Sequence, residues 1–510
     1  MAVGRIDCFE SSDKGLRGFQ AMDFSKASFT AIISDLHLCE AEPPNKKSPL
    51  WKKFKTREFF FDSEFERYLE VIQQKALGQP VELVLNGDTF DFDSFMLLPE
   101  RPTYRVSWLE GRRGLRPEES KSMFKIRTII EHHALFFQSL VKFLKNNPEN
   151  KIVFVIGNHD VELHFRGVQE ALMNAICENR MDQDRVRFCE WFYISNGDTL
   201  IEHGNQYDPY CLCQDPVHPM VLKHNRVEVR LPFGNLAGRY MTNGMGFFNP
   251  HVDTNFIMTL PEYLKFFFKY MVRAQPLLVW TWFWGAVVTL WQAFADRLRP
   301  AVKDPLMVED IVDDIARRSN ATPRMVRELK ELMSEPAASD PVLVARELWL
   351  DRAFMVLLGL VVFFQIFSMI KLVYDISLNW MLIPMGLFLP TLIFYSKAFS
   401  SNVTKYKEPN EKTLTLASRI TGAKRVIYGH THIPRQEWIG TVEHLNSGTW
   451  SPAFMDPECT RPLGKKTYIW ISPGPSERIA QLLVFGSTRA AGRAQSGTAA
   501  SPGRLKRQSA

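Results

Sequence analysis

The sequence predicts an α/β fold interrupted by a helical, hydrophobic insertion, and three observations lead there. Five short apolar runs of β character stop abruptly in Asp, Asn or His: AIISDLH (31–37), ELVLNGD (82–88), KIVFVIGNHD (151–160), LIEHG (200–204) and RVIYGHTH (425–432). Segments of helical spacing separate several of them, as in folds that alternate strands with helices. Between residues 216 and 410 the composition changes, and three stretches without charge appear, 275–295, 353–370 and 376–396. A buried strand that ends in a tight turn puts the next side chains at the C-terminal edge of a sheet, where α/β proteins hold their chemistry. Packing alone gives no reason for five such ends to be polar.

In chain order, a polar lead-in runs into a first strand at 28–34, with Asp35 and His37 just past its end. Residues 43–57 mix five lysines and Arg57 with Trp51 and Phe54, a composition that suits either an anionic surface or a plainly solvated loop. Residues 60–77 have helical spacing, and 81–85 form a second strand that leads into Asn86-Gly87-Asp88-Thr89-Phe90-Asp91. Arg101, Arg105, Arg112, Arg113 and Arg116, interspersed with Tyr104 and Trp108, read either as a lid for a phosphorylated substrate or as an exposed loop. An amphipathic helix is expected at 125–144, where His132 and His133 have structural or surface roles.

After Gly157-Asn158-His159-Asp160, residues 168–179 look helical and 187–194 strand-like, and Asn196-Gly197-Asp198 is a hairpin turn returning into 200–203. His164 and Asp208 flank these motifs without an assignment. Residues 216–246 lack a clean period, and His218, His224 and His251 are expected to hold no metal. Each uncharged stretch is long enough to cross a hydrocarbon layer of ~30 Å as a helix. Between the first two, 308–334 reads as amphipathic, water-facing helix. From Glu411 the α/β pattern resumes with a helix, a strand at 425–428, Gly429-His430-Thr431-His432, and strands near 441–445, 467–471 and 479–485. Residues 486–510 read as a disordered basic tail.

Composition narrows the function. A formal charge of +6 over 510 residues is slight and points away from nucleic acid as a partner. Seven cysteines with no CxxC pair suggest neither a disulfide framework nor a thiolate zinc site, and fit a reducing compartment. The first thirty residues carry no apolar core, so no secretory signal is expected.

The ordered set D-x-H, GD, GNHD, HG and GHxH resembles the signature of the calcineurin-like metallophosphoesterases. It stands here as Asp35 and His37, Gly87-Asp88, Gly157 to Asp160, His203-Gly204, and His430 and His432. The resemblance covers roughly 28–210 and 412–485, and Asn446-Ser447-Gly448-Thr449-Trp450 looks like the family's closing loop. It implies a four-layer αββα sandwich in two parts, 28–215 and 411–485, interrupted by the insertion at 216–410. It also implies two divalent metal ions, Asp35, His37 and His432 on one, Asn158, His203 and His430 on the other, and Asp88 between them. A metal-bridging hydroxide would then attack phosphorus, His159 would protonate the leaving oxygen, and Asp160 would fix the tautomer of His159. Carboxylate, imidazole and amide donors suit Mn, with Fe and Zn as alternatives.

Departures from two relatives refine this expectation. Protein Ser/Thr phosphatases of the superfamily follow GD with Asp-Arg-Gly and read GNHE, so a phosphoprotein substrate is disfavoured. The GD-x-F-D run is similar to that of UDP-2,3-diacylglucosamine pyrophosphatases, which commonly carry Arg where His159 stands. The expected protein is a membrane-associated phosphoesterase acting on a phosphomonoester, phosphodiester or pyrophosphate that is lipid- or nucleotide-linked. Its rivals are a soluble nucleotide phosphodiesterase and a non-catalytic scaffold. His203 precedes all three apolar stretches and His430 follows them, yet both are assigned to one metal, so the chain between them crosses a bilayer an even number of times. The expected arrangement is a hairpin of 353–370 and 376–396, with 275–295 at the interface and the catalytic block cytoplasmic. Three segments dipping into one leaflet satisfy the same parity.

Overall fold

The computed structural model describes residues 22–45, 47–223, 226–247, 264–272, 278–299, 308–374, 377–383, 386, 388, 390, 394–395, 410–462 and 464–486. His224, His251 and the expected tail beyond residue 486 lie outside the described residues.

Thirteen strands are described: β1 Phe29–Ile33, β2 Val81–Asn86, β3 Lys151–Val155, β4 Val186–Cys189, β5 Phe192–Ser195, β6 Thr199–Glu202, β7 Met220–Lys223, β8 Arg226–Val229, β9 Arg425–Tyr428, β10 Arg435–Ile439, β11 Val442–Asn446, β12 Thr467–Pro473 and β13 Arg478–Val484. One sheet has the order β13-β12-β1-β2-β3-β4, and a second has β10-β11-β9-β6-β5. β1 to β4 are parallel, as are β6, β9 and β11. Their near-continuous apolar sequences suit strands covered on both faces.

The layers follow from which residues meet. Ile32, Val84 and Val153 of the first sheet pack with Tyr193, Ile201, Ile427 and Leu445 of the second, forming the layer between the sheets. The alternate residues Ile33, Leu83, Leu85 and Phe154 face helices Asp62–Lys75, Glu119–His132, Ala134–Asn146 and Arg166–Ile176. The outer face of the second sheet, with Leu200, Val426 and Val442, is covered by Val312, Ile315, Val326, Leu329 and Leu414. Two of its covering helices, Val308–Arg318 and Pro323–Lys330, come from the middle of the insertion, and the third is Glu411–Thr421. The result is a mixed α/β sandwich with helices on both outer faces.

Three local differences from the sequence reading have physical causes. Residues 187–194 form two strands, because the chain leaves the first sheet after Cys189 and enters the second at Phe192. The helix expected at 125–144 is broken at His133, whose buried ring bonds Asp62 Oδ1 at 2.8 Å and the Cys39 carbonyl at 2.9 Å. Within 216–246, β7 and β8 form a hairpin and Phe233–Tyr240 forms a helix.

Among the described residues one helix, Leu350–Val373, is long and apolar enough to cross a membrane. Phe354, Leu357, Phe364 and Met369 are exposed on it. The chain then returns beside it: Phe388 lies 5.8 Å from Phe363 between ring centroids, and Tyr395 Oη donates to Asp351 Oδ2 at 2.9 Å. The Trp-rich helix Leu278–Arg297 behaves differently. Its Ala286, Thr289 and Ala293 are buried, with Gly285 against the Tyr240 carbonyl, while Trp280, Trp284 and Trp291 are exposed.

Candidate metal centre

The five polar strand ends converge. β1, β2 and β3 deliver Asp35 and His37, Asp88, and Asn158 and His159, while β6 and β9 deliver His203, and His430 and His432. The turns are tight enough that Asp35, His37, Asp88, His430 and His432 all adopt left-handed backbone, with φ of 54°, 51°, 51°, 63° and 59°. Such conformations are uncommon outside glycine and concentrate at functional sites, where surrounding structure enforces them. Two glycines are required by close approach. A Cβ on Gly157 would sit 2.6 Å from Asp88 N and 2.9 Å from His203 Cδ2, and one on Gly429 would sit 2.7 Å from Asp35 Oδ2.

Among the described residues four groups could hold a metal ion, each with donor atoms within 4.8 Å of one another: the expected clusters of Asp35 with His37 and His432 and of Asp88 with His203 and His430, and beside them His37 with Asp91 and His159, and Asp208 with Cys211 and His430. His432 Nε2 is 3.1 Å from Asp35 Oδ1, and His203 Nε2 is 3.2 Å from Asp88 Oδ2. His37 Nε2 lies between the clusters, 3.9 Å from Asp88 Oδ2 and 3.4 Å from His432 Nε2. His203 Nδ1 donates to the Asn86 carbonyl at 2.9 Å, which leaves the Nε2 lone pair facing the site. Asn158 Oδ1 is buried without a hydrogen-bond partner, and Asp35 Oδ1 has only imidazole nitrogens near it, the nearest being His432 Nε2. Stranded acceptors of this kind are expensive unless a cation answers them, and the donor set fits a divalent metal. Burial pushes the Asp88 carboxyl up, but the imidazoles of His203, His159 and His37 outweigh it and hold it well below the usual range.

His159 adjoins the first cluster through His37, with its ring 5.0 Å away, and groups with Asp91. Burial opposes its charge, but Asp88, Asp91 and Asp93 raise it well above the ordinary imidazole range. Its Nδ1 lies 3.6 Å from Asp91 Oδ1 and 3.6 Å from Asp93 Oδ2. Asp160 does not have the expected role of fixing that ring. Its Oδ1 accepts the Gly157 N–H at 2.6 Å and its Oδ2 the Thr89 N–H at 2.8 Å, so it ties the GNHD turn to the GD turn. Burial, then the Asp88 charge, raise its carboxyl to about 7.

Several residues were not singled out as site residues. Asp208 Oδ2 lies 3.1 Å from His430 Nε2 and orients that ring. Asp93 is held by Asn235, Arg239 and Asn243, all from the insertion. The i, i+4 spacing of Asn235 and Arg239 was the available signal, since it puts both side chains on one face of the helix Phe233–Tyr240, while Asn243 follows in the turn Thr242–Gly244. The basic loop is anchored in part to the protein itself: Lys55 is buried on Glu40 at 2.8 Å, and the Lys52 N–H bonds the Gly246 carbonyl at 2.6 Å. Of the five arginines, Arg116 pairs with Glu228 at 2.9 Å and Arg112 lies over the Trp108 ring.

An α/β sandwich with a buried carboxylate and imidazole centre at its strand ends defines the class. Residues 30–233 match the family model of the calcineurin-like phosphoesterases, so the chain carries a domain of the metallophosphoesterase superfamily. Proteins of this family are in general metal-dependent phosphoester hydrolases that typically bind two divalent ions. No curated protein matches the chain.

Proposed function

We propose that this protein is a membrane-associated phosphoesterase with two divalent metal ions, Mn first and Fe or Zn as alternatives. One observation carries the reading: side chains as distant in sequence as His37 and His432, or Asp88 and His430, meet in two donor clusters whose other members are buried and whose His430 and His432 are partly buried. In this reading Asp35, His37 and His432 hold one ion, Asn158, His203 and His430 hold the other, and Asp88 is shared. Divalent ions held by these residues would supply charge neutralisation at the phosphoryl group and a water activated at neutral pH. His159, flanked by the Asp91 and Asp93 carboxylates, gives its proton to the leaving oxygen in this reading.

The substrate in this reading is a phosphomonoester, phosphodiester or pyrophosphate on a lipid or nucleotide, with no role for nucleic acid. Membrane attachment is supported by the exposed apolar surface of Leu350–Val373 and the chain returning along it. A two-pass hairpin keeps 28–215 and 411–485 on one side, which we take to be cytoplasmic, with 216–410 as the anchoring insertion. The test is turnover by detergent-purified protein with Mn²⁺, across phosphomonoesters, phosphodiesters and nucleotide-linked lipids. Hydrolysis that is lost on chelation and restored by metal is expected. Folded, metal-loaded protein inactive on every class would overturn the proposal, and full recovery of protein from detergent-free supernatant would remove the membrane from it.

A further inference from the structure

Resting on the metallophosphoesterase reading above, we propose that Asp93 is a positioning residue for His159, and that the insertion's helix Phe233–Tyr240 holds it in place. Two carboxylates flank His159 Nδ1, and they are supported differently. Asp91 Oδ1 also accepts the N–H groups of Asp93 and Ser94, at 3.1 and 2.9 Å, so it is fixed by its own turn. Asp93 is fixed from outside. Asn235 Nδ2 donates to Oδ2, the oxygen facing His159, while Arg239 Nη2 donates to Oδ1 at 3.1 Å and Asn243 Nδ2 to the Asp93 carbonyl at 2.7 Å.

The same Asn235 amide donates to the Asn158 carbonyl at 2.7 Å. A single side chain of the insertion therefore fixes both the carboxylate beside the imidazole and the peptide that carries it. Arg239 is also 3.6 Å from Glu162 Oε1, which accepts from Lys125 Nζ at 2.7 Å. Asp93, Glu162, Asn235 and Arg239 are all at most 2% exposed. Burying this many charged groups adds little or no net stability over apolar packing, so the network's value lies in orientation. A purely structural ion pair would not need to direct one of its oxygens at an imidazole.

In the step itself, water adds its oxygen to phosphorus and releases a proton to solvent, from which His159 is later reprotonated. The leaving oxygen departs with the bonding pair and takes the Nε2 proton of His159. Asp93 holds the ring so that Nε2 faces that oxygen. A leaving group that is stable as an anion needs this proton little, whereas an alkoxide needs it greatly.

The test uses full-length, metal-loaded protein in detergent and two monoesters, p-nitrophenyl phosphate and a simple alkyl phosphate. Asp93→Asn is expected to lower kcat for the alkyl ester at least tenfold more than for the aryl ester, with KM and bound metal unchanged. It should have no further effect in a His159→Ala background. Asn235→Ala, which removes the amide but no charge, should reproduce the selective loss and decides the matter if Asp93→Asn does not fold. Equal losses for both esters, or losses that persist in the His159→Ala background, would overturn the proposal. If the wild type hydrolyses neither monoester, matched aryl and alkyl phosphodiesters are compared in the same way, and inactivity on every phosphoester class would overturn the proposal together with the reading it rests on.

Discussion

Asp88 and His159 touch one another, yet the proposed mechanism separates their roles completely. Asp88 Oδ1 accepts the His159 backbone N–H at 2.8 Å, while Asp88 Oδ2 faces His203 at 3.2 Å and His37 at 3.9 Å. Asp88→Ala removes a carboxylate that faces both clusters and leaves several imidazoles without their shared counter-charge. Bound metal should fall from about two ions per chain to one or fewer, and turnover should be undetectable. His159→Ala removes none of the six side chains of the Asp35 and Asp88 clusters, although its ring groups with His37 and Asp91. It should retain metal and lose about 10²–10⁴-fold in kcat, roughly 3–5 kcal/mol at ~1.4 kcal/mol per decade. Elemental analysis of both variants, paired with steady-state kinetics, measures the two effects separately. If His159→Ala lost metal as fully as Asp88→Ala, the division into ligand and acid would be wrong.

Gly157→Ala would put a methyl group 2.6 Å from Asp88 N; it should destabilise the fold by ~1–3 kcal/mol, on the scale of overpacking, and reduce bound metal, measured by thermal melting and elemental analysis. Cysteine labelling at residues 20 and 490 in sealed vesicles should place both on one side, and opposite sides would contradict either the hairpin or the shared metal centre. Glu190 offers a pH test away from the centre: burial raises its carboxyl to about 7, against Arg318, which lowers it. A folded pKa above the unfolded value gives stability that is complete below about pH 4.5 and is lost as the pH rises through 7. Glu190→Gln should therefore raise Tm at pH 8 relative to wild type and have little effect near pH 4.5, and an equal change at both would refute the assignment.

The sequence by itself determined the site's composition and the outline of the fold. Asp35, His37, Asp88, His203, His430 and His432 could be read because each follows an apolar run that must be buried, and parallel strands necessarily bring such ends to one edge. Asp160 was misread because its neighbour in sequence, His159, is not its neighbour in the turn; the carboxylate folds back onto two backbone N–H groups instead. Only tertiary structure could decide that Asp93 lies beside His159, since its position is set by Asn235 and Arg239, more than 140 residues away in sequence. The same holds for the insertion. Its charge-rich helices looked water-facing, and one face of each is exposed, but Val312, Ile315, Val326 and Leu329 cover the second sheet. Periodicity shows that a helix has an apolar face; what that face covers depends on contacts remote in sequence, which no local pattern records.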